Sequence, residues 1–286
     1  MIAALLALAA SALYGTADFL GGVASRRTAA LVVAGVSQLG GLVTLLLLLP
    51  LLPPASGSIA DYAWGALSGV AGSIAITLFY YALAAGRMSV EAPIAAAVGA
   101  AIPVFVGLAL GERPGLLVYV GIMLVLGSIV LVSQEGSTES GHAHAIAIPE
   151  GHHPIVLAVA AGIFIGAFYT ILGRISPAAG LQPLVLARFV SVGLLLGAAR
   201  HTRSSLRLRP RMLAIVLTSG AIDIAANTCY LLATQRGMLS VVATLASLYP
   251  AATLLLARVV LAERLRKVQL AGLGMAALAI TLIAGR

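Results

Sequence analysis

Residues 2–24 read IAALLALAASALYGTADFLGGVA, an almost unbroken run of apolar and small side chains with a single charge at Asp18. A helix needs about 20 mostly apolar residues to cross the hydrocarbon core of a bilayer. Similar runs follow along the chain, separated by short clusters of Arg, Gly and Pro. The stretch therefore predicts a transmembrane helix that is the first of several.

The composition of the whole chain indicates an all-α integral membrane protein. Of its 286 residues, 61% are hydrophobic and 9% are charged, and the mean hydropathy is +1.09. Soluble domains have about 45–50% apolar and about 25% charged residues. The net charge of +8 does not indicate a nucleic-acid partner, because the basic residues flank the apolar runs as they do beside membrane spans. We expect a multi-pass protein whose partner is the lipid bilayer, in a bacterial cytoplasmic membrane.

Ten candidate transmembrane helices can be delimited. They cover residues 2–24, 29–52, 62–84, 88–111, 115–133, 154–174, 182–200, 211–234, 239–261 and 267–285. Between the fifth and the sixth lies a segment rich in Gly, Ser and His, which is typical of a linker. Its histidines, His142, His144, His152 and His153, match no zinc-site spacing, so we expect no metal and no cofactor.

The two halves of the chain repeat each other at an offset of 151 residues. Glycine, serine and charged residues match in this one register, which happens by chance far less often than alanine matches do. The matches pair Gly15 with Gly166, Gly22 with Gly173, Gly69 with Gly220, Thr77 with Thr228, Ser89 with Ser240, Glu112-Arg113 with Glu263-Arg264 and Gly121 with Gly272.

The repeat predicts a first five-helix unit at 1–134, a linker at 135–153 and a second five-helix unit at 154–286. Five spans is an odd number, so the second unit enters the membrane in the opposite orientation. Such inverted repeats are a transporter architecture, with the substrate site near mid-membrane between the halves. Residues 2–24 correspond to an internal span, so we expect them to form a helix of the bundle and not a cleaved leader.

The distribution of basic residues predicts an orientation. Loops after the odd-numbered spans carry eleven Lys and Arg residues, whereas the other side carries four. Because basic residues concentrate in cytoplasmic loops, both termini are expected to face outward.

Two segments carry recognisable motifs. One, from Tyr81, reads YALAAGRMSVEAPIAAAVGAAIPVFVGLALGERPG, and the other, from Tyr230, reads YLLATQRGMLSVVATLASLYPAATLLLARVVLAERLR. Each has a Tyr-Ala-Leu-like helix end, a turn with glycine and serine, a proline-bearing helix and a Glu-Arg pair. Both resemble the EamA-type half of the drug/metabolite transporter superfamily. The second segment carries the family's proline at Pro250, where the first has Gly99, and Ala262 replaces the glycine before Glu263.

The resemblance implies ten helices in two inverted repeats and the export or exchange of small metabolites. It also implies that helices 1, 3, 4, 6, 8 and 9 line the cavity, and that the termini lie in the cytoplasm, against the charge count.

Charged and polar side chains inside spans are the candidate site residues, because they are costly in hydrocarbon and functional by default. Asp18 has Tyr14 one helical turn before it, and it either binds a proton or a cationic substrate or makes a structural hydrogen bond. Asp223 and Asn227 lie four residues apart on one face of helix 8, together with Tyr230. They line a pocket or join helices, which polar side chains often do in membranes.

The remaining candidates have structural alternatives of similar weight. Arg188 in helix 7 extends to the membrane interface or pairs with a carboxylate such as Asp223. Glu91 complements the helix dipole at the start of helix 4 or faces the substrate. Tyr80 and Tyr169 stack on a substrate or belong to the core.

These features predict a secondary-active transporter, an exporter or exchanger, for a small polar or amphipathic metabolite, coupled to protons through Asp18 or Asp223. A monomer is sufficient for this, because the two halves are fused. A non-transporting scaffold or sensor is the alternative. We expect no catalytic residues, since the chain has no HExxH, no GxSxG in a suitable context and no P-loop, and a membrane-embedded enzyme is the least favoured interpretation.

Overall fold

The computed structural model describes residues 1–25, 28–51, 55–85, 88–132, 134, 154–205, 207–261 and 266–284; within these it leaves out the side chains of residues 80, 83–85, 88–93, 154, 254, 257, 258, 260, 261 and 284. The described residues form helices joined by short turns, with no strand among them. The helices are α1 (Ile2–Ser25), α2 (Ala30–Leu48), α3 (Ile59–Ala85), α4 (Met88–Ala109), α5 (Leu116–Val132), α6 (Pro154–Leu172), α7 (Gln182–His201), α8 (Pro210–Thr234), α9 (Leu239–Ala246), α10 (Tyr249–Leu261) and α11 (Lys267–Ala284).

Six of the described helices are long and apolar enough to cross a bilayer: α1, α2 with the 3-10 turn that follows it, α3, α6, α7 and α8. Four further apolar stretches are shorter, at 94–109, 116–132, 239–253 and 267–283. An all-helical, multi-pass arrangement is therefore confirmed. The ten-span inverted layout stays a prediction.

The ninth predicted span, 239–261, is not one helix. Helix α9 ends at Ala246, and α10 begins at Tyr249. Pro250 lies in the first turn of α10, where its missing N–H costs nothing, but no helix can run through it without losing a backbone hydrogen bond. The prediction of a continuous helix is wrong at residues 247–248, and the proline explains why.

The start of α3 shows how local sequence sets a helix boundary. The Ser58 hydroxyl accepts a hydrogen bond from the Asp61 N–H at 3.2 Å, while the Asp61 carboxylate accepts one from the Ser58 N–H at 2.8 Å. This reciprocal arrangement satisfies backbone donors that a helix start leaves free.

Small residues allow the helices to approach closely. A Cβ atom at Gly15 of α1 would lie 2.5 Å from the Tyr249 carbonyl oxygen of α10, and one at Gly166 of α6 would lie 2.5 Å from the Ile102 Cβ of α4. Close packing of backbones is the main attraction between helices in lipid, where burial of apolar surface gives little. As a result α1 packs along α8, α9 and α10, α6 packs along α3 and α4, and α5 packs along α11.

Candidate functional site

A cavity of about 130 Å³ lies at the centre of the bundle, lined from both halves of the chain. Its walls come from α1, α2 and α3 of the first half and from α6, α7, α8 and α10 of the second. The lining residues are Tyr14, Asp18, Gln38, Gly69, Gly72, Ala75, Ile76, Phe79, Ile165, Phe168, Tyr169, Leu184, Ala187, Arg188, Ser191, Asp223, Asn227 and Tyr249.

Polar side chains along this cavity form one continuous hydrogen-bonded chain. The Tyr14 hydroxyl donates to Asn227 Oδ1 at 2.7 Å, and Asn227 Nδ2 donates to Asp223 Oδ2 at 3.1 Å. Arg188 Nη2 donates to the same Asp223 oxygen at 2.5 Å, and Arg188 Nη1 donates to Gln38 Oε1. The network links α1, α8, α7 and α2, so it joins the two halves through their centre.

The ion pair between Arg188 and Asp223 confirms one of the two alternatives for Arg188. The arginine side chain is only 7% exposed and the aspartate 24%, so Arg188 does not extend to an interface. Removing one partner of such a buried pair costs about 3–5 kcal/mol, because the other charge is left uncompensated. The pair therefore joins α7 to α8 across the cavity wall.

Asp18 differs from the other polar residues of the cavity. It lines the same space, half-buried. Among the described residues no side chain forms an ion pair with it and none donates a hydrogen bond to it. The structural hydrogen bond considered for Asp18 is thus absent from the described part of the chain.

Three tyrosines, Tyr14, Tyr169 and Tyr249, line the cavity, and Tyr230 supports one of them. The rings of Tyr14 and Tyr169 lie 5.9 Å apart, and Tyr230 stacks on Tyr169 at 4.7 Å. The Tyr230 hydroxyl donates to the Tyr169 carbonyl oxygen at 3.1 Å, and Tyr230 itself is fully buried. Tyr230 does not belong to the cavity wall; it holds the backbone of α6 in place behind Tyr169.

Two predicted site residues, Tyr80 and Glu91, have side chains outside the described part of the structure. The linker histidines and Glu263-Arg264 also lie outside it. Within the described residues, no group of three or more His, Cys, Asp and Glu side chains is placed to hold a metal ion.

Away from the cavity, Asp61 ties the loop after α6 to the start of α3. Its carboxylate accepts hydrogen bonds from the Ser176 N–H at 2.7 Å and the Ser176 hydroxyl at 3.1 Å, besides those from Ser58. We call these three residues the Asp61 cluster. Beside it the Tyr62 hydroxyl meets Gln182 Oε1 at 2.5 Å, and the Ser56 N–H donates to the Ala178 carbonyl oxygen at 2.9 Å.

Glu112 makes a second contact between the halves. Its carboxylate accepts hydrogen bonds from the N–H groups of Leu239, at 2.5 Å, and Ser240, at 3.0 Å. It therefore caps the start of α9, where free N–H groups and the helix dipole favour a negative charge.

The model of one family, the EamA-like transporter family, matches residues 1–134 and 153–285. The chain belongs to the EamA-like transporter family. This family is part of the drug/metabolite transporter superfamily, so the resemblance seen in the sequence is confirmed.

The chain of this EamA-like protein is also similar to a solved structure titled "Crystal structure of protein", with a TM-score of 0.75 and 16% identity. The match covers 98% of this chain and 95% of that one. At this identity the likeness concerns the fold alone. No curated protein sequence matches the chain.

Sequence reasoning missed part of the cavity of this EamA-like protein. Gln38 and Ser191 place α2 and α7 in the wall, whereas the resemblance implied lining by helices 1, 3, 4, 6, 8 and 9. A signal was present: Gln38 is the only amide in the apolar sequence of α2, and it adjoins Ser37, the offset counterpart of Arg188. No sequence feature near Asp61 predicts the Asp61 cluster, because Ser176 is 115 residues away in the sequence.

Proposed function

We propose that the chain is a secondary-active transporter that exports or exchanges a small polar or amphipathic metabolite by alternating access. The observation that carries the proposal is the central cavity, which is walled by both halves and holds three charged side chains, Asp18, Arg188 and Asp223, in an otherwise apolar bundle. Charged side chains inside spans mark solute and ion pathways. Membership of a transporter family supports the same conclusion. The proposal includes that the protein lies in a bacterial cytoplasmic membrane and that a monomer is sufficient for transport.

Helix contacts between the halves support an inverted repeat. Gly15 lies against Tyr249 and Thr253, and its counterpart Gly166 lies against Gly99 and Ile102. Thr253 and Ile102 are themselves related by the 151-residue offset. A twofold axis between two similar halves repeats each contact: where Gly15 meets Thr253, the counterpart Gly166 must meet Ile102, as it does here.

The contact between α5 and α11 follows the same rule. Gly121 lies against Ile283, and its counterpart Gly272 lies against Val132. Val132 and Ile283 are again offset counterparts, so this contact maps onto itself when the halves are exchanged.

Helix directions support the inversion. A Cβ atom at Gly65 would meet Pro183, and one at Gly69 would meet Ala187, so a step of four residues along α3 matches a step of four along α7. The two helices therefore run in the same direction. Consecutive spans alternate in direction, so α3 opposes α2. Since α7 is the counterpart of α2, the second half is turned over relative to the first.

In this layout the Asp61 cluster and the Glu112 contact lie on the same side of the membrane. Both tie one half to the other, so the structure is a conformer in which this side is closed. Alternating access requires these contacts to break while the opposite side closes. The proposed cycle is a rocking of the two halves around the cavity.

Proton coupling is assigned to Asp18 within this proposal. Asp223 is neutralised by Arg188, whereas Asp18 has no partner among the described residues. A carboxylate in a low-dielectric site is stable only when it binds a proton or meets a positive charge. Asp18 is thus the group whose proton occupancy can change during the cycle.

The decisive experiment uses sealed proteoliposomes. Vesicles are preloaded in turn with unlabelled amines, amino acids or nucleosides, and the uptake of the labelled solute is followed. A transporter gives transient accumulation that depends on the preloaded solute and on an intact vesicle. Product formation by the purified chain in detergent would indicate an enzyme instead, and the absence of accumulation for every solute would leave the scaffold or sensor alternative.

A further inference from the structure

We propose that the solute of this cavity is a small organic cation, a protonated or quaternary amine, and that Asp18 is its counter-ion. The inference rests on the proposed transport function and names its substrate class. It is drawn from the charge balance, the hydrogen-bond inventory and the aromatic wall of the cavity.

The charge balance of the described cavity wall is negative. It contains two carboxylates, Asp18 and Asp223, and one guanidinium, Arg188. Arg188 is bound to Asp223 at 2.5 Å, so Asp18 is the uncompensated charge. A cation that enters the cavity supplies the missing positive charge without disturbing any existing contact.

The carboxylates around Arg188 disfavour an anionic solute. The guanidinium of Arg188 is engaged by Asp223 and Gln38, and the Tyr14 hydroxyl is engaged by Asn227. A carboxylate or phosphate would lie beside two like charges, Asp18 and Asp223. Selection against one charge type by repulsion is a common source of specificity.

The rest of the wall suits the apolar part of an amine. Aromatic rings of Tyr14, Phe79, Phe168, Tyr169 and Tyr249 line the cavity together with aliphatic side chains. Aromatic faces attract cations, by about 0.5–1 kcal/mol at exposed sites and more where water is excluded. Quaternary and substituted ammonium groups gain most from such walls, because their charge is spread over methyl or methylene groups.

The volume of the cavity guides the choice of test solutes. Its volume is about 130 Å³, and an apolar cavity of about 150 Å³ holds one benzene molecule. Tetramethylammonium, choline and 1,4-diaminobutane are of this order. Choline also has a neutral counterpart of the same shape, 3,3-dimethylbutan-1-ol, in which carbon replaces the charged nitrogen.

The test measures equilibrium binding of these three cations and of the neutral alcohol to the full chain in lipid nanodiscs. At least one cation is expected to bind, and choline at least tenfold more tightly than its neutral counterpart. Asp18→Asn should weaken cation binding at least tenfold, about 1.4 kcal/mol, without changing the affinity for the alcohol. Asp18→Glu keeps the charge and should retain cation binding. Phe168→Leu should weaken choline binding about two- to fivefold, since the ring adds about 0.5–1 kcal/mol.

Thermal unfolding of Asp18→Asn shows whether a loss of binding comes from misfolding, and Asp18→Glu supplies the folded, charged comparison. The proposal is overturned if none of the three cations binds, if choline and the alcohol bind equally, or if Asp18→Asn binds cations as the unchanged chain does. Because binding needs no sealed vesicle, cation binding without any transport would leave this inference standing and refute the transport function. Transport of an uncharged or anionic solute would refute this inference and leave the transport function standing.

Discussion

The ion pair between Arg188 and Asp223 gives the sharpest prediction about what stabilises the wall of the cavity. Asp223→Asn would leave a guanidinium that is 7% exposed with Gln38 as its remaining side-chain partner. Breaking a buried pair costs about 3–5 kcal/mol, and we expect Asp223→Asn to fall in this range. Arg188→Met leaves an aspartate that is 24% exposed and still bound by Asn227, so its cost should be smaller.

The double variant Arg188→Met with Asp223→Asn removes both charges at once. We expect it to be less destabilised than the sum of the two single variants by at least about 1 kcal/mol, since residues of one ion pair are coupled. The assay is the free energy of unfolding in mixed micelles titrated with SDS. Strictly additive single effects would refute the reasoning, because they would mean that the two side chains do not sense each other.

Four further predictions concern other parts of the molecule. Gly166→Ala should lower stability by about 1–3 kcal/mol through overpacking against Ile102, whereas the matched control Gly22→Ala, whose Cβ meets nothing within 4 Å, should be neutral or slightly stabilising; equal thermal shifts would contradict this. Asp61→Asn should weaken the Asp61 cluster by about 1–3 kcal/mol and speed maleimide labelling of a cysteine at the buried position Ala179 (Ala179→Cys in a Cys229→Ala background), and unchanged labelling would contradict the closure of this side. Asp18→Asn should abolish the dependence of transport on a pH gradient, and full retention of that dependence would rule out Asp18 as the coupling group. The charge count predicts that alkaline phosphatase fused after Arg286 is active outside the cell, and fluorescence of a fused green fluorescent protein would instead favour the cytoplasmic termini implied by the family.

Residues whose chemistry conflicts with a bilayer were the ones that the sequence could identify. Asp18, Asp223 and Asn227 are polar groups in apolar helices, so they had to face inward, and all three line the cavity. Helical periodicity was too coarse for Tyr230, which shares a face with Asn227 but lies behind Tyr169. Whether the lining residues bind a solute stays a prediction.

Features that depend on distant parts of the chain could not be predicted. Gln38 joins the network only because Arg188, on another helix of the other half, reaches it. The Asp61 cluster likewise requires the loop at Ser176 to fold back onto α3. Pro250 indicates a break in the ninth predicted span, but the sequence does not show where the break lies. The structure places it at residues 247–248, because α9 ends at Ala246 and α10 begins at Tyr249.

Alternating access is the central claim, and one disulfide tests it most directly. Ser56 and Ala178 are joined by a backbone hydrogen bond of 2.9 Å between the two halves, and Ser56→Cys with Ala178→Cys in a Cys229→Ala background would crosslink the closed side. The measurement is counterflow of the solute identified in the proteoliposome screen, before oxidation, after oxidation and after reduction. The account predicts that oxidation stops counterflow and that reduction restores it. Undiminished counterflow through a fully crosslinked protein would contradict it.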